Sequence, residues 1–202
     1  MQHRALVDVA HNHGLAFAAV DGLNGTWSHP NAPARFRDEQ RFVGHVFDDL
    51  KTRFGFTAEN SIIGGFSQGA SMAWYTLCQQ GNRVTGAVTF SGVFWDPLPE
   101  PQDCVTDMPP IVHFHGTADR TFPLSGRAIG DDFHQGDTLK SMAVVRQRAG
   151  CDTAAEREKL LAGVVCRVAP GCNRGEMALC IHGGGHTVQA DQLDAGLREI
   201  GF

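Results

Sequence analysis

Ser67 lies at the centre of Gly65-Phe66-Ser67-Gln68-Gly69, directly after the apolar run Ser61-Ile62-Ile63 and directly before a helical pattern over 68–79. A strand, a sharp turn and a helix in that order lift a serine hydroxyl clear of its own backbone. Such a turn needs nearly side-chain-free residues where strand and helix cross, a role open to Gly65 and Gly69. The helix start also offers backbone N–H groups and the positive end of its dipole to a developing oxyanion, the N–H of Gln68 first. The chemistry this implies is nucleophilic attack on an acyl carbon. It requires a base to take the serine proton and an acid to hold that base. The acid expected is Asp119 in His115-Gly116-Thr117-Ala118-Asp119, a loop just past a predicted strand over 111–115. The base expected is His186, which follows Gly183-Gly184-Gly185 between the last predicted strand and the last predicted helix. Serine, acid and histidine in that chain order, each at a strand end, match one known arrangement of these three roles.

Other residues compete for parts of this chemistry. His182 is a second candidate base, placed in or against the final strand rather than on the glycine loop. His113 and His115 alternate with Phe114, so they share one face of a strand, where a metal or a hydrogen-bonded packing role is open to them. No third ligand stands near them in sequence, and no metal site is expected. Asp103 and Asp107 precede the strand that leads to Asp119 and so fall at its wrong end. His11 and His13 read as the wet side of a helix end. Trp27, Phe66, Phe94 and Trp95 lie at strand ends, either lining an acyl or alcohol pocket or simply packing the core.

The elements that must position these groups alternate. Residues 2–13 read as an amphipathic helix with Leu6, Val9 and Ala10 inward, and Leu15–Val20 as a short buried parallel strand ending at Asp21-Gly22. Asp38–Arg53 is a helix with the stripe Phe42, Val43, Val46, Phe47 and Leu50. Strands are expected over 61–66, 84–91 and 111–115, and Asp137 is an N-cap for a helix over 138–149. Val164–Val168 and Met177–Ile181 are a hairpin or two successive late strands, and 189–200 closes the chain as a helix. Alternating strands and helices predict a three-layer α/β sandwich with a mostly parallel sheet, whose ligands sit at the carboxyl ends of its strands.

With 202 residues, 1–202 is expected to form a single domain. The charge of −5, from 17 basic and 22 acidic residues, argues against a nucleic-acid partner. Apolar runs fall far short of the roughly 20 residues of a membrane span, so no membrane partner is expected. His3, Arg4, Asp8, His11 and His13 interrupt the first twenty residues, which therefore lack a signal peptide's apolar centre. The cysteines point the other way. Cys78, Cys104, Cys151, Cys166, Cys172 and Cys180 are an even set without metal-ligand spacing, which suggests disulfides and an oxidising compartment.

The elbow Gly-Gly-Phe-Ser-Gln-Gly-Ala-Ser-Met-Ala-Trp, the acid loop His-Phe-His-Gly-Thr-Ala-Asp-Arg-Thr-Phe-Pro and the terminal Gly-Gly-Gly-His together resemble the polyhydroxybutyrate depolymerase and feruloyl esterase group of α/β-hydrolases, including esterases described as LpqC-like. The resemblance runs from the first helix to the last. It implies an α/β-hydrolase fold and a secreted or periplasmic serine esterase with Ser67, Asp119 and His186 as its triad. It further implies a small-molecule or polymeric ester substrate and no cofactor. It suggests a Cys78–Cys104 disulfide, with Cys151–Cys166 and Cys172–Cys180 completing the expected set. The segment Gly-Phe-Ser-Gln-Gly-Ala also resembles cytosolic carboxylesterases and acyl-protein thioesterases, which stay open as alternatives. One departure from the group matters. Its members carry a strand ending in His-Gly ahead of the first helix, and the following loop supplies a second oxyanion donor. Its absence from this chain implies an N-terminally incomplete sheet with a gap of about 10 Å, or a new pairing. Loss of that donor costs roughly 10²–10³ in turnover. Met1 is therefore expected to be an internal residue of a longer secreted precursor, and a non-catalytic or defective hydrolase-fold fragment is the alternative function.

Overall fold

Side-chain alternation along the strands decides the layers. In the computed structural model, which describes residues 2–202, the central strands are β1 (Ile62–Phe66), β2 (Gly86–Phe90), β4 (Ile111–Gly116) and β9 (Met177–His182), paired parallel in that order. Two further strands, β8 (Val164–Ala169) and β7 (Arg157–Leu161), extend the sheet antiparallel beyond β9. Val88, Phe90, Val112, Phe114, Ala178 and Cys180 turn to one face and meet Leu197 and Ile200 at the last helix, α5 (Ala190–Glu199). Val9 of α1 (Gln2–Asn12) packs on the same side. Ala87, Ile111 and Leu179 turn to the other face, against Trp74 and Leu77 of α3 (Gln68–Gln80) and Met142 and Val145 of α4 (Thr138–Arg148). The remaining helix, α2 (Glu39–Phe54), packs on α3. Asp137 caps α4 through the Lys140 N–H, as expected, and Asp38, read from the sequence as the first helical residue, instead caps α2 through the Arg41 N–H.

One expected strand is absent, one open alternative is decided, and strands not foreseen appear. Leu15–Val20 is not a strand: β1 takes the sheet edge, and among the described residues no ladder reaches this run, whose Phe17 and Val20 stay exposed. An apolar run without a neighbouring strand has no partner for its backbone groups. The late strands resolve as the antiparallel alternative, with Cys166 directly opposite Cys180. The added strand β7 escapes sequence reading because Arg157-Glu158-Lys159 alternates no apolar face. Its hairpin to β8 turns on Ala162 and Gly163, both with positive φ. A second, three-stranded sheet of β3 (Trp95–Asp96), β6 (Phe133–Gln135) and β5 (Ala128–Ile129) covers the region beyond β2.

Three disulfides hold the loops to this frame. Cys78 at the end of α3 joins Cys104, as expected. The other two correct the expected set, being Cys151–Cys172 and Cys166–Cys180. Register explains the change: Cys166 and Cys180 face each other across the ladder. The segments carrying Cys151 and Cys172 are tied side by side by Asp152 N–H to the Pro170 carbonyl and Asn173 N–H to the Ala149 carbonyl.

Candidate active site

Ser67 ends β1 and begins α3 with φ 58° and ψ −127°. A non-glycine residue holds such a conformation only where its surroundings impose it. Here the Ser67 N–H continues the sheet ladder by donating to the Phe90 carbonyl, while its own carbonyl accepts from Ala70 and Ser71 in the first turn of α3. A Cβ on Gly65 would overlap the Gly69 carbonyl, and one on Gly92 would overlap the Ser67 carbonyl, so backbone meets backbone on both sides of the turn. Gly69 departs from the sequence reading. A Cβ there would meet only Trp27 Nε1, at an ordinary 3.8 Å, so the crossing needs the Gly69 backbone rather than its missing side chain. The Gln68 N–H donates to no group among the described residues, and its side-chain Oε1 accepts from the Thr26 hydroxyl.

Asp119 and His186 come together from two strand ends. Past β4, the Thr117 N–H donates to the His182 carbonyl and the Ala118 N–H to the Gly184 carbonyl, which zips the acid loop to the glycine loop. Gly116 is needed here, because a Cβ on it would overlap the Gly184 carbonyl. Asp119 is buried; its Oδ1 accepts from the Thr121 and Phe122 N–H groups at 2.9 and 2.8 Å, and its Oδ2 lies 2.8 Å from His186 Nδ1. Burial pushes the carboxyl upward, but the Phe122 N–H and the His186 ring outweigh it and leave its pKa below the ordinary value. A carboxylate there fixes the proton of a neutral His186 on Nδ1 and leaves Nε2 as a lone pair. The His186 ring also lies against Phe66, the residue before Ser67, with centroids 4.6 Å apart and planes tilted by 41°. No hydrogen bond joins the Ser67 hydroxyl to the ring among the described residues.

The competitors are placed elsewhere. His182 accepts the Gly184 N–H on its Nδ1, and burial lowers its pKa although the Asp119 charge opposes this. His113 and His115 form a buried hydrogen-bonded chain. His13 leaves the expected wet side and pairs with Asp194 of α5 at 2.8 Å, whereas His11 is exposed. Asp103 accepts from the Glu100 N–H and Asp107 lies beside Arg148. Of the expected pocket residues, Phe66 is exposed and Trp27 half-buried beside the elbow. Trp95 and Phe94 take the core-packing alternative and are fully buried, because the β3 ladder and the Tyr75 hydroxyl hold the Trp95 backbone inward.

Reading the sequence also missed His29. It is buried between Tyr75 and Trp95, its Nδ1–H donating to the Pro30 carbonyl at 3.0 Å. Burial lowers its pKa to about 4 despite that hydrogen bond. The folded chain thus holds His29 neutral at pH values where the unfolded chain protonates it. Its contribution is fully present above about pH 6.5 and is lost as pH falls toward 4, on the order of 3 kcal/mol. His113 and His115, also lowered by burial, act in the same direction. Urea midpoints should therefore drop between pH 7 and pH 4.5, and His29→Phe should make that drop smaller. Equal drops in both proteins would contradict this account.

Residues 31–145, which include Ser67 and Asp119, match the model of the phospholipase/carboxylesterase family. Among solved structures, esterase PE8 superposes with a TM-score of 0.53 at 23% identity, over 85% of this chain and 68% of that one. The acetyl xylan esterase from Aspergillus awamori gives 0.59 at 13% identity, over 80% and 66%. The Bacillus cereus carboxylesterase gives 0.52 at 12%, over 84% and 64%. The chain thus spans about two thirds of the length of these structures, which share its fold. No match emerges from the curated proteins.

Proposed function

The chain belongs to the phospholipase/carboxylesterase family and has the α/β-hydrolase fold, and on that premise we propose that it is a serine carboxylester hydrolase with Ser67 as nucleophile, His186 as base and Asp119 as the acid that orients it. The observation that carries this reading is the 2.8 Å bond from His186 Nδ1 to Asp119 Oδ2, made beside a serine held at φ 58°. His186 Nε2 takes the Ser67 proton as Oγ attacks the ester carbonyl. The proton then passes to the departing alcohol oxygen as the carbon–oxygen bond breaks. Water, deprotonated by the same nitrogen, attacks the acyl-Ser67 ester, releases the acid and returns the proton to Oγ. The Gln68 N–H stabilises the oxyanion in both halves.

The substrate belongs to the range of the polyhydroxybutyrate depolymerase and feruloyl esterase group. Supports for this are the three motifs in sequence and the Cys78–Cys104 link. Trp27 and Phe66, beside the elbow, form the wall that meets the ester. Three disulfides support an oxidising, extracellular or periplasmic setting over the cytosolic alternative. No helix among the described residues is long and apolar enough to cross a membrane.

A non-catalytic reading draws on the outer position of β1 and on the missing hydrogen bond between Ser67 and His186. A fluorophosphonate probe separates the two. The serine-esterase reading expects an adduct mapped to Ser67 and turnover of p-nitrophenyl butyrate, both lost in Ser67→Ala. Labelling that survives Ser67→Ala defeats the assignment, and a folded protein with neither adduct nor turnover establishes the non-catalytic reading.

A further inference from the structure

Alternation along β4 sends His113 and His115 into the layer beneath α3 and α4, where both rings are fully buried. Four ring nitrogens in a core each need a partner, and each has one. Trp74 Nε1–H donates to the Thr89 hydroxyl oxygen at 3.2 Å. Thr89 Oγ1 lies 2.9 Å from His113 Nδ1, His113 Nε2 lies 3.0 Å from His115 Nδ1, and His115 Nε2 lies 2.7 Å from the Phe122 carbonyl oxygen. The ends of this chain allow one direction only. A carbonyl accepts, so His115 carries its proton on Nε2 and accepts on Nδ1. His113 must then donate from Nε2, accept on Nδ1 and receive the Thr89 hydroxyl, and Thr89 accepts from an indole that has only a donor. Thr138, opening α4, adds its hydroxyl 3.4 Å from the same His115 Nδ1. With both rings neutral, every proton in the chain has an acceptor.

The chain terminates on the acid loop. Phe122 donates its N–H to Asp119 Oδ1 and gives its carbonyl to His115, so both polar groups of this residue are held. His115 Nε2 is also 3.7 Å from Asp119 Oδ2, the oxygen that holds His186. We propose that His115 is a positioning residue for the Asp119 carboxylate, with His113 and Thr89 setting the single tautomer in which it works. The proposal rests on the reading of Asp119 as the acid behind His186. His115 touches no reacting atom. It fixes, through the carbonyl, the residue whose N–H aims the carboxylate, and small errors in aim are costly when a base must meet a serine hydroxyl.

The test compares three variants with the wild type on p-nitrophenyl butyrate. His115→Phe keeps a ring and removes the donor; kcat should fall roughly 10- to 100-fold with KM nearly unchanged. His115→Gln restores an N–H near the position of Nε2 and should recover most of that loss. Asp119→Asn is the reference. If it keeps wild-type turnover, the acid reading fails and takes this proposal with it. If it falls while His115→Phe turns over normally, or if Gln is no better than Phe, His115 is packing alone and the proposal is overturned. Should the variants not fold, long-range proton–nitrogen spectra of the wild type decide the matter. Both rings should be Nε2–H tautomers, and an Nδ1–H form of either one overturns the proposal.

Discussion

Asp119→Asn is expected to lower kcat about 10⁴-fold while the protein remains folded. The direction follows from how the two carboxylate oxygens are used. Oδ1 accepts from the N–H groups of Thr121 and Phe122, so an asparagine must leave its carbonyl oxygen there. Its NH₂ then points at His186 Nδ1, the place now held by Oδ2. A nitrogen facing an NH₂ must accept, which moves the His186 proton to Nε2 and removes the lone pair that would take the Ser67 proton. The hydrogen-bond count at residue 119 is preserved, so stability should change little, while the base is lost. Single-turnover acylation with p-nitrophenyl butyrate, alongside circular dichroism, reads both quantities. A folded variant within about tenfold of wild-type acylation would show that Asp119 does not set the His186 tautomer.

Complete reduction of the three disulfides is expected to lower Tm by roughly 20–35 °C, enough to unfold the protein near physiological temperature. The links close sequence separations of 26, 21 and 14 residues. In the chain-entropy account each restricts the unfolded chain by about 3 kcal/mol, so together they rival the whole ~5–15 kcal/mol stability of an ordinary domain. The folded state loses something as well. Cys166 and Cys180 are buried in one apolar cluster and Cys78 and Cys104 in the other, so reduction leaves two thiols where one bridge packed. Thermal melts with and without a phosphine reductant, with thiols counted, measure the effect. A fully reduced protein melting within a few degrees of the oxidised one would show that the sheet and helices suffice alone.

Legibility in the sequence followed the range of the interactions involved. Helices were readable because their signals are local: Asp137 caps the helix that follows it, and the stripe from Phe42 to Leu50 marks the inward face of α2. Strands β1, β2, β4 and β9 were readable because a sheet covered on both faces demands continuous apolar runs. The run Leu15–Val20 carries the same signal and forms no strand, since pairing depends on a neighbour that composition does not reveal. The strand β7 shows the reverse, a charged edge segment recruited by the hairpin at Ala162-Gly163. Trp95 and Phe94, open to either a pocket or a core role from their place after a strand, are turned into the core by the Tyr75 hydroxyl and the β3 ladder.

By itself the sequence determined which residues are candidates for the proposed acyl chemistry and in what order strands and helices carry them. Gly65-Phe66-Ser67-Gln68-Gly69, the Asp119 loop and Gly183-Gly184-Gly185-His186 are local patterns whose glycines and turns follow from backbone sterics. Only the tertiary structure decided that Asp119 meets His186, because two parallel strands brought side by side zip their loops through Thr117 and Ala118. It alone decided that Cys166 faces Cys180 rather than Cys151, because ladder register is a relation between distant segments. It alone oriented His113 and His115, whose tautomers depend on Thr89 at one end and the Phe122 carbonyl at the other. Local sterics act within a few residues and are written in the chain. Register, burial and the direction of a hydrogen-bonded chain exist only once the segments meet.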